Sequence, residues 1–354
     1  MKKVLIYGEF PEYIQHGVSI SNRINSTMLS DNDFEVNEVV EPSFFGCGRF
    51  KVCLLSFFSV FSSLFKIFKF RQSDCFYLNL PTSVLGIIRV FILVTWFSII
   101  NKEGKIVLHL HRGDFRQFYS PLKGFLKFLV RSTFKRIDCM FVLSKKYEVY
   151  FHEQFGLKCI LLNNCIEEIF ETLIIPENDK SHSNTKLLYL SNVIKEKGIF
   201  DLLEALKDTN GKYELTVCGK FKDVSTKVLF FRMAKGLNVN YLNSVSGKEK
   251  VSLIDAHDIF VLPSHNEGQP LSIIEAMARG KVIIATDVGF IKEMFWESYP
   301  LIIKPNQKKK LIDALHSSFE LTHDISLRNR LIEQYLQNFS RAARVKSLLS
   351  IFNL

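Results

Sequence analysis

The sequence predicts an α/β protein built from two doubly wound, Rossmann-like parallel-sheet domains facing each other across a cleft. Three observations carry that prediction. Short apolar runs alternate with longer helical patterns, as in parallel sheets covered on both faces. The alternation pauses at a polar, irregular stretch, Glu167–Asn184, and then begins again. The chain has 354 residues, more than twice the ~150 usual for one domain.

In order, Lys3–Tyr7 is a strand, followed by a loop containing Gly17, and Phe34–Val40 is a second strand. Val52–Phe70 is helical, because Ser56, Ser59, Ser62, Lys66 and Lys69 recur every three or four residues among Leu and Phe. Cys75–Leu80 is a strand ending at Pro81, and Val84–Ile100 is an apolar helix with one charge, Arg89. The strand Lys105–His109 runs into His111-Arg112-Gly113-Asp114; Pro121–Arg136 is helical; Cys139–Leu143 and Lys158–Leu162 are the last strands of this half. The first domain is thus assigned to 1–168, a linker to 169–184 and the second domain to 185–335. In the second, strands at Lys186–Leu190, Tyr213–Cys218, Ile259–Leu262 and Val282–Ala285 alternate with helices at Gly198–Leu206, Lys248–Ala256 and Pro270–Arg279. Leu311–Leu321 and Ile325–Phe352 close the chain as helices. In such sheets ligands bind outside the carboxyl ends of the strands.

Composition narrows the class. At 47% hydrophobic and 23% charged the chain is globular. Seven cysteines, an odd number with no CxxC, indicate neither a disulfide framework nor a zinc site, and fit a reducing cytosol. The apolar run of Met1–Tyr7 is too short for a signal peptide, and Val52–Phe65 and Val90–Ile100 are too short to span a bilayer. The net charge is +10, and residues 42–137 hold 15 basic against 3 acidic side chains, which points to an anionic partner for the first half. Lys123, Lys127, Arg131 and Lys135 form one helical stripe, with Phe125, Phe128 and Leu129 off it. Basic helices of this kind suit an anionic membrane surface. No nucleic-acid recognition motif occurs.

The most informative stretch is PSHNEGQPLSIIEAMARG, Pro263–Gly280, within a strand–turn–helix–strand unit. Pro270 suits the first helical turn, where its missing N–H is no loss. The free N–H groups of Leu271 and Ser272 then make an anion site with the helix dipole, and Gly268 permits close backbone approach. Glu267 lies at the strand end and Glu275 one to two turns into the helix, where a carboxylate can accept from the vicinal hydroxyls of a ribose. Spacing alone favours an ordinary surface glutamate on the helix and leaves an acid/base pair open.

This stretch, continued through KVIIATDVG, resembles the E-x7-E signature of retaining glycosyltransferases of the GT-B fold, family 4 type (glycosyl transferases group 1). A second match is LLYLSNVIKEKGIFDLLEAL, 187–206, which resembles that family's strand–loop–helix with a phosphate-binding lysine, here Lys197, before a glycine. Many members carry arginine where this chain has Asn192, so Lys197 would act with another cation, Lys195 or Lys220, or with backbone N–H groups. The third is KIVLHLHRGDF, 105–115, where the family places a histidine that reaches the donor sugar; His111 fits that place, while His109 belongs to the strand. Gly17 in the first loop and Gly219 after a strand match more weakly, as do Cys218, Ser246-Gly247 and Asn164.

The resemblance implies a nucleotide-sugar donor, with UDP as the expected nucleotide. Its diphosphate would lie on Gln269–Ser272, its ribose on Glu275, and its sugar between Glu267 and His111, with Lys197 stabilising the leaving group. No cofactor beyond the donor is expected, and no DxD-like motif for a metal stands out. Residues 336–354 would cross back to the first domain. The acceptor would be a glycan or lipid-linked glycan in bacterial surface polysaccharide assembly (O-antigen, capsule or lipopolysaccharide), on the inner face of the cytoplasmic membrane. A nucleotide-sugar epimerase on the same fold, or a non-catalytic membrane-associated binding protein, are the alternatives.

Overall fold

The computed structural model describes residues 1–13, 17–41, 49–172 and 185–353. They divide into two compact units, Met1–Asn164 with Arg344–Leu354, and Cys165–Ala343. Beyond Thr172, the stretch read as a linker lies outside the described residues.

The first unit holds β1 (Lys3–Gly8), α1 (Gly17–Ser30), β2 (Glu35–Val40), α2 (Arg49–Lys69), β3 (Cys75–Asn79), α3 (Val84–Ile100), β4 (Lys105–Leu110), α4 (Phe115–Tyr119), α5 (Gly124–Phe134), β5 (Cys139–Val142), α6 (Lys145–Phe155) and β6 (Cys159–Leu161). All pairings are parallel, in the order β2-β1-β3-β4-β5-β6. The chain leaves β1 to one side and returns to its other side at β3, so the topological switch lies between those strands. β3, β4 and β5 are buried almost throughout, which is why they read as unbroken apolar runs rather than alternating ones. Ser83 and Ser144 cap α3 and α6 by accepting from the N–H groups of Gly86 and Lys146.

α1 is the main departure in this unit. Where a loop was expected, Gly17 is the first residue of a helix. Its inward face is Ser19, Ser21, Asn22, Asn25 and Ser26, all buried, together with Ile24, Met28 and Leu29. A polar inner face gives no apolar periodicity to detect. α6 and, in the second unit, the helix over 224–234 were missed too, the latter because it buries only Phe230.

The second unit holds α7 (Ile169–Thr172), β7 (Thr185–Leu190), a 3₁₀ turn (Lys195–Lys197), α8 (Ile199–Leu206), β8 (Tyr213–Cys218), α9 (Val224–Ala234), β9 (Val239–Leu242), α10 (Gly247–Asp255), β10 (Ile259–Leu262), α11 (Leu271–Ala278), β11 (Val282–Thr286), β12 (Ile302–Ile303), α12 (Lys308–Leu321) and α13 (Ile325–Asn338). Its sheet is parallel in the order β12-β11-β10-β7-β8-β9, with the switch between β7 and β10. The last expected helix is two, because it breaks at Phe339–Ser340. Phe339 is buried in the core, and the Ser340 hydroxyl accepts from the N–H of Ala343 to start α14 (Arg341–Leu349).

Cys75, Cys139, Cys165 and Cys218 are buried and form no disulfide, and burial pushes Cys139 up to about 12, which makes it inert. Among the described residues, no helix is long and apolar enough to cross a membrane.

Among the described residues two histidines, His109 and His257, are buried. Burial lowers the pKa of His109, with His111 and Arg344 pushing the same way, and burial likewise lowers that of His257. His257 donates from Nδ1 to the Leu253 carbonyl at 2.6 Å and accepts at Nε2 from the Thr216 hydroxyl at 2.8 Å. The unfolded chain protonates both near pH ~6.5 and the folded chain only at lower pH, so the unfolded state binds more protons as pH falls and stability drops. Thermal melts should therefore shift little between pH 8 and 7 from this source. Below about pH 6.5 stability should fall by up to ~1.4 kcal/mol per pH unit per histidine. His257→Gln should flatten that slope; an unchanged slope would contradict the assignment.

Candidate functional site

The loops that leave β7 and β10 diverge at the switch point of the second sheet, and both carry residues singled out from the sequence. They are held together by backbone. Gly198 has φ +71°, and a Cβ placed on it would lie 1.9 Å from the carbonyl oxygen of Pro263, so the two loops touch only because that residue is glycine. The N–H of His265 donates to the Glu196 carbonyl at 2.9 Å, and the Tyr189 hydroxyl lies 3.2 Å from the carbonyls of both Asn192 and Lys197. Gly289, after β11, is pressed as closely on Glu267, its notional Cβ 1.9 Å from that residue's carbonyl oxygen.

This packing places Lys197 Nζ 2.6 Å from Glu267 Oε1, an oxygen that also accepts from the Ser264 hydroxyl at 2.8 Å. Glu267 is buried; Lys197 keeps 25% of its side chain exposed. One face of the lysine thus neutralises a buried carboxylate while another remains open to solvent. Lys195 and Lys220, considered as its partners, are exposed, and so is Asn192.

α11 begins beside this pair. Pro270 proves to be its N-cap (φ −69°, ψ 128°), not its first helical residue, and no side chain caps the helix. The N–H groups of Leu271 and Ser272 therefore open the helix with neither an i−4 carbonyl nor a capping oxygen. Gly268 and Ser272 are partly exposed and Gln269 is buried. One turn further, Glu275 is 3% exposed and takes Lys250 Nζ on Oε1 at 2.5 Å, while its Oε2 has no partner. Lys250 also lies 5.8 Å from the centre of the Phe170 ring. Below, Arg279 is fully buried and grips both oxygens of Asp255 at 2.8 and 2.7 Å, fastening α11 to α10.

Gly219 is buried at the end of β8, where a Cβ would lie 2.0 Å from the Ser191 carbonyl oxygen, so it serves the same loop that carries Lys197. Gly17 and His111 belong to the first unit. His111 follows β4, with Nε2 3.2 Å from Asn79 Oδ1 at the end of β3 and its ring 3.7 Å from that of the fully buried His109. Among the described residues no cluster of three or more His, Cys, Asp or Glu could hold a metal ion.

Sequence reading missed Lys250, Ser264 and Tyr189. Ser264 lies inside the stretch already singled out. Lys250 stands 25 residues before Glu275, and nothing local in the sequence marks it.

Two six-stranded parallel sheets with loop constellations at their switch points define the GT-B class of α/β protein. The same fold is found over the whole chain in the Anabaena HepE structure with UDP and glucose (TM-score 0.72, 15% identity, 100% of both chains). Residues 170–337 match the family model of glycosyl transferases group 1, so this segment is similar to that family. Related sequences include the provisionally named teichuronic acid biosynthesis glycosyltransferase TuaC of Bacillus subtilis, 30% identical over 42% of this chain and 35% of that protein. Another is N,N'-diacetylbacillosaminyl-diphospho-undecaprenol alpha-1,3-N-acetylgalactosaminyltransferase of Campylobacter jejuni, 25% identical over 62% of this chain and 65% of that protein. The alignments span less than two thirds of either relative.

Gly198 and Gly211 share φ +71°, but a Cβ on Gly211 would meet nothing within 4 Å. Gly211→Ala should therefore cost only the left-handed backbone penalty, ~1–2 kcal/mol. Gly198→Ala should cost that plus the displacement of Pro263, roughly 1–3 kcal/mol more. Chemical denaturation of the two variants checks this; equal losses would mean that the loops do not meet at Gly198.

Proposed function

We propose that the protein is a retaining glycosyltransferase that moves a sugar from a nucleotide-diphosphate sugar, UDP-linked by preference, to a glycan or lipid-linked acceptor in surface polysaccharide assembly. The observation that carries this is the Lys197–Glu267 pair set beside an uncapped helix start, with Glu275 one turn behind. The donor diphosphate lies on the N–H groups of Leu271 and Ser272, where the positive end of the α11 dipole favours an anion. Lys197, already positioned by Glu267, meets the charge that develops on the leaving diphosphate, and such preorganised stabilisation is commonly the largest catalytic contribution. Glu267 positions the donor sugar, and Glu275 Oε2, which lacks a partner, accepts from a ribose hydroxyl. Departure of the nucleotide takes place without a metal ion. The UDP bound in HepE supports the nucleotide, and the lipid-diphosphate acceptor in the name of the Campylobacter relative supports the acceptor class.

The first unit suits work beside an anionic bilayer from the cytoplasmic side. Phe61, Phe65 and Phe68 of α2 and Phe125 and Phe128 of α5 are exposed, among Lys66, Lys69, Arg71, Lys123, Arg131 and Lys135. Lys69 and Arg71 lie over the Phe65 and Phe68 rings at 5.1 and 4.9 Å. Exposed aromatic rings interleaved with cations are the pairing that headgroups and the acyl boundary reward.

Release of UDP from a panel of UDP-sugars, with and without acceptor, tests the reaction. Lys197→Ala should lower kcat about 10²- to 10³-fold, and Glu275→Ala should raise the donor KM roughly 10- to 100-fold. If both variants transfer like the wild type, the site assignment fails. Isomerised sugar would instead identify an epimerase, and no turnover of any donor a binding protein.

Sedimentation with anionic vesicles tests the surface. Binding should be strong at low salt and weaken as ionic strength rises. Phe65→Ser with Phe125→Ser should weaken it without changing release of UDP. Failure to bind at low salt removes the membrane from the proposal.

A further inference from the structure

A chain of buried polar groups runs through the first unit from the C-terminal helix to His111. Arg344 of α14 is 2% exposed. Its guanidinium donates from Nε to Asn25 Oδ1 at 2.8 Å, from Nη2 to the Ser21 hydroxyl at 2.6 Å, and from Nη1 to the Asn163 carbonyl. Asn25 Nδ2 donates to the Tyr77 hydroxyl oxygen at 3.0 Å, and that hydroxyl is 2.5 Å from His109 Nδ1. The His109 ring packs against His111, tilted 40° with ring centres 3.7 Å apart, and edge-on contacts with Tyr77 and Phe141 hold it from the neighbouring strands β3 and β5.

The direction of every bond in this chain follows from one end. A guanidinium has only N–H groups to offer, so the Asn25 atom that faces Arg344 is the carbonyl oxygen and the atom that faces Tyr77 is the amide nitrogen. Tyr77 oxygen accepts from that nitrogen, and its own proton is left for His109. A ring nitrogen that accepts carries no proton, so neutral His109 bears its hydrogen on Nε2. The other tautomer would leave the buried Tyr77 hydroxyl proton without an acceptor, a loss of about 1–3 kcal/mol. Nε2 itself finds no partner among the described residues, so the Nδ1 side alone decides. The charged and titratable groups around the ring are Tyr77 from β3, His111 from the loop after β4 and Arg344 from α14.

We propose that Arg344, acting through Asn25 and Tyr77, fixes His109 as the Nε2–H tautomer, and that His109 is the positioning residue on which His111 rests. The C-terminal helix thereby takes part in setting a residue of the candidate site. The tautomer stands on geometry alone; only its catalytic consequence rests on the transferase reading.

Two-bond ¹H–¹⁵N spectra of the full-length, ¹⁵N-labelled protein between pH 5.5 and 8.5 test this directly, with the His109 signals identified by their loss in His109→Gln. His109 should show the Nε2–H pattern throughout and should not titrate. Tyr77→Phe, which keeps the ring but removes the hydroxyl, should release the tautomer into a mixture and shift the His111 ring signals. An Nδ1–H or doubly protonated His109, or a tautomer unchanged in Tyr77→Phe, overturns the proposal. With a donor that is turned over, Tyr77→Phe should lower kcat roughly tenfold and leave the donor KM unchanged. Wild-type kcat alongside a released tautomer would refute the positioning of His111. Absence of turnover in the wild type would count against the transferase reading and leave the spectroscopic result standing.

Discussion

The close approach of Gly198 to the Pro263 carbonyl is the constraint on which the candidate site depends. Both loops leave neighbouring strands at a topological switch point and would otherwise diverge. A residue with φ +71° and no side chain lets them meet. From that contact follow the 3₁₀ turn over Lys195–Lys197, the bond from His265 N–H to Glu196, and the 2.6 Å bond that sets Lys197 on Glu267. Gly289 on the Glu267 carbonyl and Gly219 on the Ser191 carbonyl repeat the device on either side. The loops are ordered by backbone, which leaves the side chains free for chemistry.

Charge is handled by the same economy. Two buried carboxylates, Glu267 and Glu275, would each be costly alone in a medium that solvates them poorly. Each gives Oε1 to a lysine, so each stays compensated while a second oxygen is kept for something else. For Glu267 a serine hydroxyl shares the same Oε1; for Glu275 the second oxygen is buried with no partner. Such an acceptor is rare in a finished core and makes sense where a ligand completes the bond. The two acids are therefore supported separately, each by its own lysine.

Much of the fold was legible because parallel strands buried on both faces are plain apolar runs. β3, α3 and β10 were placed to within a residue or two. The signature Pro263–Gly280 was legible as local order: strand, tight turn, proline, helix, glycine stop. α1 was not, because its buried face is Ser, Ser, Asn, Asn and Ser. Those residues look like a loop until Arg344, more than 300 positions later, supplies the donors that make their burial affordable. Of the three apolar side chains read as lying off the lysine stripe of α5, Leu129 is buried while Phe125 and Phe128 stand exposed.

The sequence by itself determined the class of the protein and the residues of its main loop, because strand period, turn chemistry and the run from Glu267 to Glu275 are all properties of near neighbours along the chain. The tertiary structure alone decided what those residues touch. It set Lys250 on Glu275 and Ser264 on Glu267, made Pro270 the cap of its helix, and put Arg344 at the head of the chain of bonds that ends on His109. The reason is physical. A local pattern records backbone preference and burial, whereas the partner of a buried charge or an unpaired hydrogen bond is whichever group folding brings within about 3 Å, however far away it lies in the sequence.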